Sequence, residues 1–339
     1  MSTTVSQEAL DLYRASDVVD LHIDSFIWTR IVGYDLLTRH RFRPTGRHFC
    51  WHVDLPRAID DGLTGGVWSI TTNPFRTAAR RRDALVKNLA HLTSILARAP
   101  GVALSRSAAD YRSARAAGQH AAFLAVQGGN ALASSIDDLD LIPDRDIVRV
   151  TLVHLASSRL GATSSPLSRL DPTEGLTDFG RDYVQKLNDK SILVDLAHIS
   201  HQGFWDALAV HDHHQPVVVS HTGVSGVQPH WRNLSDEQVR AVALTGGCVG
   251  IMLQEQFLGR PCSVATVADH LDHLTNVGGE DTPAIGTDFD GMITPPADLA
   301  GYHHFPRLVQ ALLDRRWPVD RIRKVLGANA LRVMEAVRG

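Results

Sequence analysis

Short runs of β-forming residues alternate with longer amphipathic stretches along almost the whole chain, and this alternation restricts the fold more than any other feature. The strand-like runs are 18–23, 66–71, 121–126, 147–153, 192–197, 216–220, 247–253 and 284–287. Between them lie the helical patterns 78–98, 105–117, 177–189, 201–212, 235–245 and 263–276. Leu85, Leu89, Leu92 and Leu96 recur at helical spacing, and Thr177-Asp178 and Ser235-Asp236-Glu237 place small polar and acidic residues where helices begin. Apolar strands separated by helices require right-handed crossovers and a mainly parallel sheet. Eight of them predict an α/β chain folded as a (β/α)8 TIM-type barrel. An open doubly wound sheet is the alternative, but no G-x-G-x-x-G follows the first run. The tail, 304–338, reads as two or three closing helices punctuated by Pro318 and Gly327. No repeat or linker divides the chain, so 1–339 is expected to be one barrel domain with those helices packed on it.

Composition removes several function classes. A net charge of -3 leaves no electrostatic footprint for nucleic acid. No run is long and apolar enough for a membrane span, and Met1–Arg14 is polar and amphipathic with no apolar signal core. Cys50, Cys248 and Cys262 form neither a disulfide framework nor a C-x-x-C zinc motif, and Cys248 reads as core. These features predict a cytoplasmic protein with a small-molecule substrate and no nucleic-acid or membrane partner; a homodimer is left open. The 18 histidines are the unusual count. Those at 211, 213 and 214 suit surface turns, and His303 and His304 are a weaker option for a loop near a site.

The strand-like runs end in residues that bind metals or move protons. His22 and Asp24 follow the first run, His154 the fourth, His198 the fifth, His221 the sixth and Asp288 the last; the third ends at Gln127. In a barrel these are the ends that carry catalytic groups. His22 and Asp24, two residues apart, share a strand face and offer nitrogen and oxygen ligands suited to zinc or a related divalent ion. Asp288 is the expected proton acceptor for an attacking water, and Asp290 a turn or supporting residue. His154 is placed to hydrogen-bond a developing oxyanion, and Arg232 to clamp a carboxylate in bidentate fashion.

Specific stretches resemble the membrane (renal) dipeptidase family of zinc metallopeptidases, peptidase family M19, within the amidohydrolase-like barrels. They are Asp20-Leu21-His22-Ile23-Asp24, Gly175-Leu176-Thr177-Asp178-Phe179-Gly180, Leu193-Val194-Asp195-Leu196-Ala197-His198 and Pro216-Val217-Val218-Val219-Ser220-His221. Arg232-Asn233-Leu234-Ser235-Asp236-Glu237, Ile285-Gly286-Thr287-Asp288-Phe289-Asp290-Gly291 and Leu326-Gly327-Ala328-Asn329-Ala330-Leu331-Arg332 continue the match in order. The resemblance implies a metal-dependent hydrolase of dipeptides or similar amides. It implies that His22 and Asp24 bind one zinc with Asp288 close by, that His198 and His221 bind a second, and that His154 and Arg232 contact substrate.

Two positions depart from the family pattern. Gln127-Gly128-Gly129 stands where a glutamate bridging both metals is expected. Glutamine offers a neutral carbonyl, whereas dications about 3.5–4 Å apart need bridging anions to offset their repulsion. One or two ions are therefore expected, the one beside His22, Asp24 and Asp288 held more tightly. The chain also reads Met252-Leu253-Gln254-Glu255-Gln256 where the family often has an aromatic near the substrate. Two other readings follow from these departures: a relative recruited to a specialised metabolite, and a catalytically weak binding protein that kept the fold.

Overall fold

A computed structural model describes residues 4–41, 45–73, 76–143, 145–166 and 174–339. The strands are β1 (Val19–Ile23), β2 (Gly65–Thr71), β3 (Val102–Leu104), β4 (His120–Gln127), β5 (Ile147–Thr151), β6 (Leu193–Asp195), β7 (Val218–Thr222), β8 (Cys248–Ile251) and β9 (Pro283–Ile285). The sheet runs β2-β1-β9-β8-β7-β6-β5-β4, and β2 pairs with β4 along its whole length to close the ring. All pairings between strands are parallel. The result is the expected eight-stranded barrel, and each of the eight predicted runs supplies one of its strands. The ninth, β3, extends the edge of β4 at His120–Ala122. Its three residues are only half-buried, which leaves too short a pattern to read from sequence.

The connecting helices follow the periodicity. Ala78–Arg98 matches its prediction at both ends and buries Leu85, Leu89, Leu92 and Leu96. Thr177 Oγ1 accepts from Gly180 N, and Ser235 forms a reciprocal capping box with Gln238, so both start signals act as N-caps. The amphipathic N-terminal segment forms the helix Gln7–Ala15, and two short helices, Phe26–Val32 and Leu55–Asp60, follow β1.

The tail forms Phe305–Asp314, then Val319–Arg323 running through a π-helical turn, Lys324–Ala328, into Asn329–Arg338. Pro318 caps the second of these, as its missing N–H allows. Gly327 is not punctuation. It lies inside continuous helix, and a Cβ there would sit 2.5 Å from the Asp17 carbonyl oxygen. The glycine is there because the helix approaches the chain entering β1.

The barrel interior is layered. Toward the strands' N-terminal ends it is apolar: Val19, Leu21, Val67, Phe123, Val148, Val218 and Cys248 cluster with Ala330, Val333 and Met334 of the last helix. That helix plugs the bottom of the barrel, and Cys248 is core as expected. Above this layer the strict two-residue alternation breaks. Register shifts occur in β1 between Asp20 and Ile23, in β5 between Ile147 and Arg149, and in β7 between Val219 and Thr222. Each adds one residue, so the interior face passes from Leu21 to His22, from Val148 to Arg149, and from Ser220 to His221. The bulges exchange apolar filling for polar chemistry partway up the same strands.

Gly327→Ala is expected to lower stability by about 1–3 kcal/mol, the cost of overpacking a close backbone contact. The midpoint of urea unfolding measures it, with an unchanged m-value showing that the native barrel still forms.

Candidate active site

The site rests on a buried polar layer just above the apolar plug. Arg149, 1 % exposed, has its guanidinium inside the barrel. Nη1 pairs with Asp195 and donates to Ser220 Oγ at 2.6 Å and Thr151 Oγ1 at 3.1 Å. Nη2 donates to Ser69 Oγ and to His22 Nδ1, both at 2.9 Å. Asp195 accepts further bonds from Ser220 N, Ser220 Oγ, Thr151 Oγ1 and Ala197 N. Burial alone would raise its pKa, but Arg149 and these donors outweigh it and hold the carboxyl below its ordinary range.

This layer sets the rings above it. In the ion-free site Arg149 Nη2, which only donates, faces His22 Nδ1; a ring that gives Nε2 to a cation carries its proton on Nδ1 instead and can donate it to Ser69 Oγ at 3.3 Å. Ser220 Oγ donates to Asp195 and so accepts from His221 Nδ1 at 2.8 Å, which leaves His221 Nε2 free to ligate.

The sequence-marked residues come together above. His22 Nε2 lies 3.4 Å from Asp24 Oδ1 and 3.7 Å from Asp288 Oδ1. His198 Nε2 and His221 Nε2 are 2.8 Å apart, and the rings of His22 and His221 are 3.9 Å apart. The His154 ring stands edge-on to His198 at 4.7 Å. His198 and Asp288 adopt left-handed backbone, with φ of 66° and 58°, as do Leu155, Asp290 and Met292 nearby. Such conformations in non-glycine residues cluster at functional sites, where the surroundings hold them.

The donor set fits a divalent cation. Among the described residues, His22, His221 and Asp288 each bring a ligand atom within 4.8 Å of the others, and all three are buried. Burial, reinforced by neighbouring positive groups, pushes His198 and His221 well below the ordinary imidazole range, so both are neutral and able to ligate. Asp288 is raised by burial and by the Asp24 carboxylate beside it, while Asp24 is held ionised mainly by His22 against its own burial. Two carboxylates this close, with so little compensating charge, favour a cation between them.

Gln127, 1 % exposed, lies between the two ligand groups. Its amide orientation follows from its neighbours: with the NH2 toward Asp24 it donates to Oδ2 at 2.9 Å and to Thr71 Oγ1 at 2.9 Å. Thr71 Oγ1 in turn donates to Asp24 Oδ1 at 3.0 Å. The carbonyl oxygen then faces His198 and His221 at 3.4 and 3.5 Å.

A cavity of about 200 Å³ opens over these groups, lined by Asp24, Gln127, His154, His198, Arg232 and Asp288 among others. Arg232, 4 % exposed, donates from Nη2 to the His221 carbonyl at 2.7 Å, and its buried Nε has no hydrogen-bond partner among the described residues. Burial draws its pKa down to about 10, against the attraction of Asp288 and Asp195. Burial likewise draws His154 down to about 4. Asp290 has the supporting role expected: it accepts from Ser25 Oγ and from the backbone of His52 and Val53, tying the loop after β9 to the segments after β1.

Sequence reasoning missed several residues here. Arg149, Asp195 and Ser220 carry the site without lining the cavity; the available signal was a charged residue inside an otherwise apolar run. Met252 and Gln254 do line the cavity, and so do two aromatics: Phe257, the residue directly after the stretch read for one, and Trp231 from the segment after β7. His303 pairs with Asp61 in the turn before β2, and neither His303 nor His304 lines a site cavity. His211 is buried and bonds the Gln215 carbonyl across its turn.

A closed parallel barrel with imidazoles and carboxylates gathered at the C-terminal ends of its strands is the framework of the metal-dependent hydrolases. Residues 6–339 match the family described as membrane dipeptidase, peptidase family M19, and the chain belongs to that family. Dipeptidase tcpJ of Claviceps purpurea is 29% identical over 322 residues, which cover 90% of this chain and 73% of that protein. A metallo peptidase from Rhodobacter sphaeroides, solved with a phosphinate mimic of the dipeptide L-Ala-D-Ala, is 26% identical; the match covers 95% of this chain and 99% of that one with a TM-score of 0.84. A solved metallo peptidase of the same family, dipeptidase AC, is 27% identical with a TM-score of 0.84, over 96% and 99% of the two chains. The chain is thus a metal-dependent hydrolase of the dipeptidase kind. Among the described residues no helix is long and apolar enough to cross a membrane.

Arg149→Met is expected to destabilise the barrel by about 3–5 kcal/mol, because it strands the Asp195 carboxylate in the interior. Arg149→Met/Asp195→Asn is expected to recover part of that loss in chemical denaturation; strictly additive losses would show that the two groups act independently.

Proposed function

We propose that the protein hydrolyses the amide bond of dipeptides, with one carboxylate of the substrate held by Arg232 and the scissile carbonyl placed over His22, Asp24, His198 and His221. The observation that carries this reading is a cavity lined by Asp24, His198 and Asp288, with His22 and His221 gathered beneath it around Asp288, beside a buried arginine whose Nε has no hydrogen-bond partner among the described residues. The solved relative from Rhodobacter sphaeroides, liganded with a dipeptide mimic, supports the same substrate class. His22 and Asp24, with Asp288 alongside, would hold one divalent ion, zinc by the ligand chemistry; His198, His221 and the Gln127 carbonyl would hold a second. Such an ion, when bound, polarises the substrate carbonyl and makes water a competent nucleophile at neutral pH.

The chain's own groups do the rest. Asp288 Oδ takes the proton of the attacking water and delivers it to the departing amide nitrogen, so that the leaving group departs as a neutral amine. His154, neutral because it is desolvated, donates one ring N–H toward the oxygen on which negative charge develops. Arg232 fixes the terminal carboxylate and hence the register of the amide, and Trp231, Phe257 and Met252 wall the same lobe against water.

Gln127 makes the two ion positions unequal. A glutamate there would add a negative charge to the Asp24 carboxylate, whereas the glutamine amide donates to it. The site therefore holds together with fewer cations, and the His198/His221 position, with two imidazoles and an amide, binds the weaker ion. Metal analysis after dialysis is expected to give about one ion per chain in the wild type and about two in Gln127→Glu; two tightly held ions in the wild type overturn this. For the reaction, Asp288→Asn is expected to reduce kcat on a dipeptide such as L-Ala-D-Ala by about 10²–10⁴-fold with metal still bound. Wild-type protein with bound zinc, manganese or iron that turns over no L-L or L-D dipeptide would sink the proposal.

A further inference from the structure

The space over the ligands has a second lobe. A cavity of about 360 Å³ adjoins the first and shares Asp24, His154, Leu155, Gly291 and Met292 with it. Arg232 lines only the smaller lobe; Arg30 and Arg76 line only the larger. Among the described residues neither Arg30 nor Arg76 forms an ion pair with a carboxylate, and Arg30 Nε is buried without a hydrogen-bond partner. The Arg30 guanidinium lies 5.5 Å from the Phe26 ring centroid, which restricts its position. Arg30 feels both the repulsion of Arg76 and the attraction of Asp24. Its place in the last turn of Phe26–Val32 suits the helix dipole, but Arg76 has no such compensation. Arg30 and Arg76 repel each other, and the one carboxylate in the lining of this lobe, Asp24, is already engaged by Thr71 and His22.

The floor of the lobe is polar, with Asp24, Thr71, Thr72 and His154, and its mouth is apolar. Ile27 is buried, whereas Ile31, Leu155 and Met292 are 61%, 57% and 52% exposed and stand at the mouth. Large aliphatic side chains left in water around a cleft mark surface that a ligand covers. The lobe thus combines an apolar mouth with two guanidinium groups.

We propose that the larger lobe is the subsite for the amino-side residue of the substrate, and that it selects a side chain with an aliphatic stem and a terminal anion, such as glutamate, held between Arg30 and Arg76. This deepens the dipeptidase reading and rests on it. With the terminal carboxylate on Arg232 and the scissile amide over the shared floor, the amino-side residue extends away from Arg232, and the larger lobe is the space that continues from that floor. Guanidinium groups bind carboxylates through paired, charge-assisted bonds, and a neutral isostere leaves them unpaired.

The test compares L-Glu-L-Ala with its neutral isostere L-Gln-L-Ala on the metal-loaded protein, and the Glu-Ala and Gln-Ala phosphinate analogues by calorimetry. The expected result is a kcat/KM ratio and an affinity ratio of about tenfold or more in favour of the acid. The ratio is expected to fall toward one in Arg30→Met/Arg76→Gln. Equal values for acid and amide in the wild type overturn the proposal, as does a preference that survives in the double variant. Since the comparison within the wild type needs no variant, a misfolded variant does not remove the test. Failure to hydrolyse any dipeptide would count against the dipeptidase reading alone; calorimetry would still decide the subsite, tighter binding of the acid analogue supporting it and equal binding overturning it.

Discussion

The Arg149–Asp195 pair, sealed inside the barrel, is the interaction on which the site depends. Taking both charges out of water is costly, and only the dense bonding around them makes the arrangement stable: Ser69, Thr151, Ser220 and His22 surround the guanidinium, and backbone amides complete the carboxylate. Because every partner is placed by a strand, the rings of His22 and His221 inherit barrel rigidity rather than loop mobility. The layer also separates two regimes within one interior. Below it the strands and the last helix bury aliphatic volume; above it the same strands present ligands.

Charge balance then decides what the upper layer can hold. Asp24 and Asp288 crowd one side, the neutral imidazoles of His154, His198 and His221 the other, and Gln127 sits between them as a donor to Asp24. Replacing an anion by an amide at that point removes repulsion from the ion-free site and attraction from the fully loaded one. The cleft divides in a parallel way: a small lobe lined by Trp231, Phe257 and Arg232, and a larger one with an apolar mouth and two more arginines.

Much of this was legible in the chain. The eight barrel strands and the main crossover helices follow from periodicity because each buries one face against a layer, and Leu85 to Leu96 or Thr177 and Ser235 express that need directly. The candidate site was legible as a gathering because strand ends in such barrels lie around one mouth, so His22, Asp24, His198, His221 and Asp288 stood out by position. β3 was not, since three half-buried residues carry no period. Gly327 was misread because a glycine that ends a helix and a glycine that admits a passing backbone look alike until the neighbour, Asp17, is known.

The sequence by itself determined the alternation of strands and helices, hence the barrel, and the identity of the groups at its upper rim. Only the tertiary structure decided which way those groups face. Two-residue alternation would send His22 away from the interior face that Leu21 occupies, and bulges in β1, β5 and β7 reverse that partway along each strand. A bulge is a property of the pairing between two strands, not of either strand alone. The same holds for Arg149: its charge reads as an anomaly in an apolar run until Asp195, Ser69, Ser220 and His22, from four other strands, are brought around it.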